Sequence, residues 1–538
     1  MFQELPELNI GESLKKFNPR IAASEDVQHL LNRTLLGISV NDLHRIKGKS
    51  KEEIVKLLLK KKYTVDSAPL KDYSTIQEGY ADSRVNYGET WVGDSNFDSS
   101  INKKRHLSLK NWITGELYGQ EELSLRPKMF LFWINFFGLQ TNSHIHAIKA
   151  YNYFELLRFN SIENYKDLLT SLITHQTLSA YFKKTKPSSE GIHEHTAGKI
   201  LGQFTFGSSF NDYVSKDRFK RLVKLLNEWS MICDNIFVHY KNLKIDEGFT
   251  ENWLKYEEVY FNQSEIREYY QNLDHYLNGI LKHPVVAQNL TRNLFNYFLS
   301  DKIDEDAEAM VIKPVSETFY DSRYDIKGWL QNFFLNDHFY QKKYFGKAKK
   351  TSEDFVFGLS KQFSILPPLQ KKSIDNYPIW EWIRSQISLC GNHEIANPGI
   401  SEPEIVQSIS ESFIQHEHDL FYLRSKLAQR IIEPGFNYGN YRFKINIDDL
   451  IKVMGVNGDP SKFVDNLIDF LFSAEISEEQ KKTLKETFLF TAKEESQTWI
   501  RRWRKGVEKG DIDERKIIHS RIQELLSTLL MMKEYQAK

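Results

Sequence analysis

Apolar residues recur at three- and four-residue spacing along most of the chain, and the runs are bracketed by residues that start and stop helices. Ser24 precedes a stripe of Val27, Leu30, Leu31 and Leu35 that ends at Gly37. A serine there accepts from the first unpaired backbone N–H groups, and a glycine closes the last turn. Ser50 and Glu53 have capping-box spacing ahead of Ile54, Leu57 and Leu58, and Ser477 with Gln480 repeats it. Glycine (26) and proline (14) are few in 538 residues, so little interrupts these runs. The expectation is an all-α, multi-helix bundle architecture with long loops and at most one small β-hairpin. That hairpin is placed at Phe436 to Ile445, where two aromatic-rich runs flank Gly439-Asn440.

Further helices are expected around 105–119, 122–138, 147–159, 162–174 (opened by Ser161), 193–206, 216–231, 264–281, 285–300, 324–340, 352–365 and 375–390. Residues 63–104 show no sustained period and many Ser, Asp and Asn, which reads as a long surface loop. A Gly-Asp-Pro turn at 458–460 precedes Ser461 and another helical run. The chain therefore divides into an N-terminal extension (1–22), a main helical region (23–455) and a C-terminal helical bundle (456–538).

Composition limits the partners. Seventy-two basic residues balance 72 acidic ones, so no global field draws the chain to nucleic acid. Arg501, Arg502, Arg504 and Lys505 interleave with Trp499 and Trp503, but the tryptophans fall four apart on one helix face, the ordinary core pattern. The longest apolar stretch, Met129 to Leu139, is interrupted by Asn135 and is much shorter than the ~20 residues of a membrane span. No secretory signal is visible, which makes the cytoplasm the default compartment. Cys233 and Cys390 are too few for a disulfide framework or a Cys-rich zinc site and read as buried thiols.

The sharpest chemical pattern is three H-x-H pairs, His144/His146, His193/His195 and His416/His418, with Glu194 inside the second. On a helix, i and i+2 diverge by about 200°, so a metal would need ligands converging from separate segments. Surface or capping histidines are the simpler reading, and Glu194 reads as a first-turn helix acid. Trp133, Asn135 and Arg158 are candidate binding residues, with Arg158 and Glu155 spaced as an ion pair. No GxGxxG, Walker A, HExxH or GxSxG motif occurs.

Several segments together resemble a bacterial family of unknown function, domain-of-unknown-function family 1800. His29-Leu-Leu-Asn-Arg33 through Gly37 is similar to its opening H-L-L-x-R-x-x-F-G, and Arg126 to Phe137 (RPKMFLFWINFF) to its R-x-K-M-x-x-F-W-H-N-H-F. Tyr151 to Leu169 resembles Y-N-x-L-L-R-x-x-x-x-G-N-F-R-D-L-L, and His193 to Gly207 resembles N-E-N-x-A-R-E-L-x-E-L-x-T-L-G. His283-Pro284, Phe339-Tyr340, Phe355 to Phe363 and residues 461–536 fit later blocks. Ile134 and Phe136 stand where the family carries histidine, and Gly198-Lys199 where it carries Arg-Glu. The family often accompanies an exported hydrolase-like one. The resemblance thus implies a non-catalytic binding or assembly protein with a protein partner of that kind, possible export with it, and no favoured cofactor. The alternative is a metal-dependent hydrolase using His193, Glu194 and His195 with a divalent ion.

Overall fold

The computed structural model describes residues 24–60, 67–73, 82, 84–94, 98–119, 123–138, 145–175, 178, 192–243, 263–370, 373–391, 420–454, 459–488 and 496–538. Helix dominates them, and their only sheet has two strands. The chain opens with α1 (Glu25–Thr34), α2 (Val40–Ile46) and α3 (Lys51–Leu58). Ser24 accepts from the Val27 N–H, and Ser50 and Glu53 form the reciprocal capping box.

α4 (Ser99–Tyr118) begins six residues earlier than its period announced, because Asp98 accepts from the Ser100 and Ile101 N–H groups. The expected loop over 63–104 therefore ends before 99. Its described parts lie against α4: Trp91 is fully buried and donates to Ser108, and Lys71 donates to the carbonyls of Asp82 and Val85. α5 (Arg126–Phe137) is the aromatic core helix, and α6 (Ala147–Phe159) is capped by His146. α7 (Tyr165–Ile173) is capped by Asn164 rather than Ser161; Ser161 is buried, and its carbonyl accepts from Trp133.

α8 (Ile192–Leu201) runs through a π-helical turn (Gly202–Phe206) towards α9 (Lys216–Leu243), and α10 (Gln263–Leu281) and α11 (Pro284–Phe298) follow. α12 (Lys313–Asp321), passed over in the sequence, packs on α11 and on α13 (Ile326–Phe334). α14 (Ser352–Gln362) and α15 (Tyr377–Gly391) pack together, and α15 also lies on α4.

Helix α16 (420–432) leads to the expected hairpin, strands β1 (Phe436–Tyr438) and β2 (Tyr441–Phe443) pairing Tyr438 with Tyr441. The C-terminal part comprises α17 (Ile447–Met454), α18 (Pro460–Leu471), α19 (Glu478–Phe488), α20 (Ser496–Trp503) and α21 (Ile512–Leu530). Asp459, in the expected turn, caps α18 by accepting from the Ser461 and Lys462 N–H groups. Trp499 and Trp503 are buried, and Arg502 pairs with Glu514.

The C-terminal part folds back on the start of the chain. Gln28 of α1 donates to the carbonyls of Asp469 and Phe472, and Lys538 N–H donates to Ala348. Buried apolar residues form one continuous cluster from Val27 to Tyr535. No helix among the described residues is long and apolar enough to cross a membrane. Cys390 is a buried free thiol raised to about 12 by burial, while the side chain of Cys233 lies outside the described residues.

Candidate functional site: a buried charge centre

Charged residues from segments far apart in the chain meet in the interior. Arg33 and Lys128 point inward from α1 and α5, and Asp354 is the third residue of α14. The Asp354 carboxylate accepts from the ammonium groups of Lys128 and Lys538, one on each oxygen, and all three side chains are nearly inaccessible. It also completes a capping box with Thr351, so α14 fixes its place. Burial alone would raise the Asp354 carboxyl, but the two lysines hold it well below the usual carboxylate range.

The neighbours add positive charge. Lys350, half-buried, lies 4.0 Å from the Tyr535 ring centroid, and burial lowers it to about 7 against the pull of Asp354. Lys538 is likewise lowered, by burial, with Lys128 and Arg33 opposing Asp354. Arg424 of α16 donates to the carbonyls of Cys390 (3.2 Å) and Lys350 (3.0 Å), and Glu353 and Asp354 offset part of its burial. Arg33 is fully buried; burial lowers it to about 10 although Asp354 opposes the shift. Beside it, His29 stacks on Phe345 with ring centroids 4.2 Å apart, and burial and then Arg33 lower the imidazole to about 3. That histidine is neutral at physiological pH.

A second polar cluster lies along α4. Glu116 takes the Arg158 guanidinium at 2.9 Å and the Ser67 hydroxyl, and Arg158 also chelates Glu155 at 2.8 Å. Burial raises the Glu116 carboxyl despite Arg158. About three turns away, Arg105 pairs with Asp82 and Asp94 and bonds to the Tyr73 hydroxyl. Asp72 accepts from Asn111 at 2.8 Å and is raised by burial to about 6.

The candidate residues from sequence fare differently. Arg158 enters the α4 cluster through its predicted pair with Glu155. Trp133 is fully buried between Phe137 and Tyr165 and donates to Ser161, while Asn135 on the same helix is exposed. His193 and His195 sit half-buried in the first turns of α8 with Glu194 exposed between them. His146 serves as the α6 cap, its Nδ1 accepting from Ile148. His144, His416 and His418 lie outside the described residues. Among the described residues, no three His, Cys, Asp or Glu side chains form a group able to hold a metal.

The charge centre itself escaped sequence reasoning, although Arg33 and Lys128 lie inside quoted segments. Its signal is a lone cation on a helix face that is otherwise apolar, as Lys128 is beside Met129 and Phe132.

Fold and centre define an all-α protein whose parts are joined through a buried cationic cluster around one aspartate. Comparison with known families then places it: the profile described as protein of unknown function (DUF1800) matches residues 29–537, and the chain belongs to that family. No curated protein and no solved structure matches it.

Proposed function

We propose that this protein is a non-catalytic helical binding or assembly protein that works with an exported or hydrolase-like protein partner. The observation that carries the reading is the surroundings of Trp133. Ile134 and Phe136, at the positions where the family resemblance leads one to expect imidazoles, are buried, and Phe136 packs against Phe132, Trp133 and Phe204. Apolar side chains neither ligate a metal nor move a proton. The charged residues of the same segments are also engaged in holding helices together, as Arg126 is with Glu163 at 2.7 Å.

The test uses the tagged full chain in its native host, followed by purification and incubation with zinc or manganese and a panel of ester, phosphoester and peptide substrates. The expected result is a stoichiometric hydrolase-like protein, exported or not, co-eluting with the chain, and no turnover by the chain alone. Metal-dependent turnover that vanishes in a His193→Ala, His195→Ala double variant would replace this reading with the hydrolase alternative.

A further inference from the structure

We propose that the charge centre around Arg33 is a binding site for a small tetrahedral oxyanion of the phosphate or sulfate class. The proposal is independent of whether the protein assembles with a partner.

It starts from an incomplete set of hydrogen bonds. Arg33 has no exposed surface, and its Nη2 donates to the Tyr344 carbonyl at 2.6 Å. Its Nε and Nη1 have no partner among the described residues, although both are buried. A guanidinium carries five donors and does not lose its charge, so donors left unpaired in the interior are costly unless an acceptor meets them.

The charge balance points the same way. Arg33, Lys128, Lys350, Arg424 and Lys538 all act on Asp354 or on one another, and Glu353 is the second described carboxylate of the set. Each Asp354 oxygen already accepts from a lysine, and Oδ2 also accepts from the Thr351 N–H. The described side-chain hydrogen bond of Arg33 goes instead to the Tyr344 carbonyl. An added anion would supply acceptors to Arg33 and offset the excess of like charge around Lys538.

The cations within electrostatic reach of Asp354 come from α1, α5, α16 and the segments at 350 and 538. A tetrahedral oxyanion presents several acceptor oxygens and so can meet more than one guanidinium donor at once, which a monatomic halide does less well. Cations beside the centre also reach the surface. Lys350 and Arg424 are half-buried, and Lys347 and Lys349 beside them are exposed. Such a cationic rim draws anions inward.

The experiment is isothermal titration of the full chain, freed of multivalent anions, with inorganic phosphate and with sulfate, using chloride at matched ionic strength as the control. Saturable binding of phosphate or sulfate, with a raised thermal midpoint, is expected. Phenyl phosphate in a third arm separates an ester headgroup, which it would mimic, from the free ion. Arg33→Met should weaken binding about ten- to hundredfold, the worth of charge-assisted donors. Because that variant loses a buried group, Lys350→Met at the half-buried rim is measured alongside it, with folding checked by circular dichroism. It too should weaken binding. No saturable heat with phosphate or sulfate beyond the chloride control, or affinities unchanged in the folded variants, would overturn the proposal.

Discussion

Single residues in this protein are informative where their ionisation is opposed by their surroundings. Asp72 is raised from 3.8 to about 6 because burial penalises its charge more than Asn111 relieves it. An acid with a folded value above its unfolded one binds its proton more tightly in the fold, so its deprotonation weakens the fold as pH rises from about 4 to about 6. Asp72→Asn keeps an acceptor for Asn111 and removes that cost. It should stabilise the protein at pH 7 by about 1–2 kcal/mol, discounting the shift for partial exposure, and be neutral near pH 3. Urea midpoints at the two pH values measure this; a variant less stable than the parent at pH 7 would show that the charge is welcome there. Trp133 makes the opposite case, a residue valuable for its bulk. It is fully buried against Phe132, Phe137 and Tyr165, so Trp133→Ala should cost about 3–5 kcal/mol in a denaturant titration. Burial of Trp133 was legible from its apolar neighbours. For Arg33 and Lys128 the helical period assigns an apolar face but says nothing about which distant carboxylate will meet the charge.

Helices were read best where side chain and backbone bond locally. Ser24, the Ser50–Glu53 box, the Ser477–Gln480 box and the Gly439-Asn440 turn all occupy their expected places, because each is decided within a few residues. An error arose where two caps competed: Asn164, not Ser161, caps α7, and Ser161 is buried with its carbonyl accepting from Trp133. The long loop was overdrawn at its end because α4 begins with Ser-Ser-Ile-Asn, polar residues that hide a helix until Asp98 is recognised as its cap. Gly37, expected to close α1, lies beyond the Leu35 C-cap and serves packing instead. It has φ +82°, and an added Cβ would lie 2.8 Å from Gly358 Cα and from the Phe357 carbonyl. Both contacts are backbone of α14, which cannot swing aside as a flexible side chain would. Gly37→Ala should therefore destabilise by about 2 kcal/mol or more, through left-handed strain and displacement of α14 from α1. Thermal unfolding measures it, and a midpoint equal to the parent's would mean that the two helices separate freely.

At the scale of the whole molecule, Asp354 links positions that the chain separates by 226 residues on the Lys128 side and 184 on the Lys538 side. Nothing in a single sequence marks such a meeting, because the pairing is set by how α1, α5, α14 and the C-terminal residues pack and not by any local spacing. The same geometry makes its energetics strongly non-additive. Removing Asp354 alone leaves Lys128, Lys538 and Arg33 as buried like charges, so Asp354→Ala should cost about 3–5 kcal/mol. Replacing the group together, Lys128→Met, Asp354→Leu and Lys538→Met, removes the desolvated charges with their partner and substitutes apolar volume. That triple variant should lose less than Asp354→Ala does, although it changes three residues instead of one. Urea titrations of parent, single and triple variants in phosphate- and sulfate-free buffer decide it, with the slope of each transition reporting whether unfolding remains cooperative. A triple variant less stable than Asp354→Ala would mean that the ion pairs contribute more than their burial costs, and that the centre stabilises the joining of α5, α14 and Lys538 rather than being tolerated for the anion it accommodates.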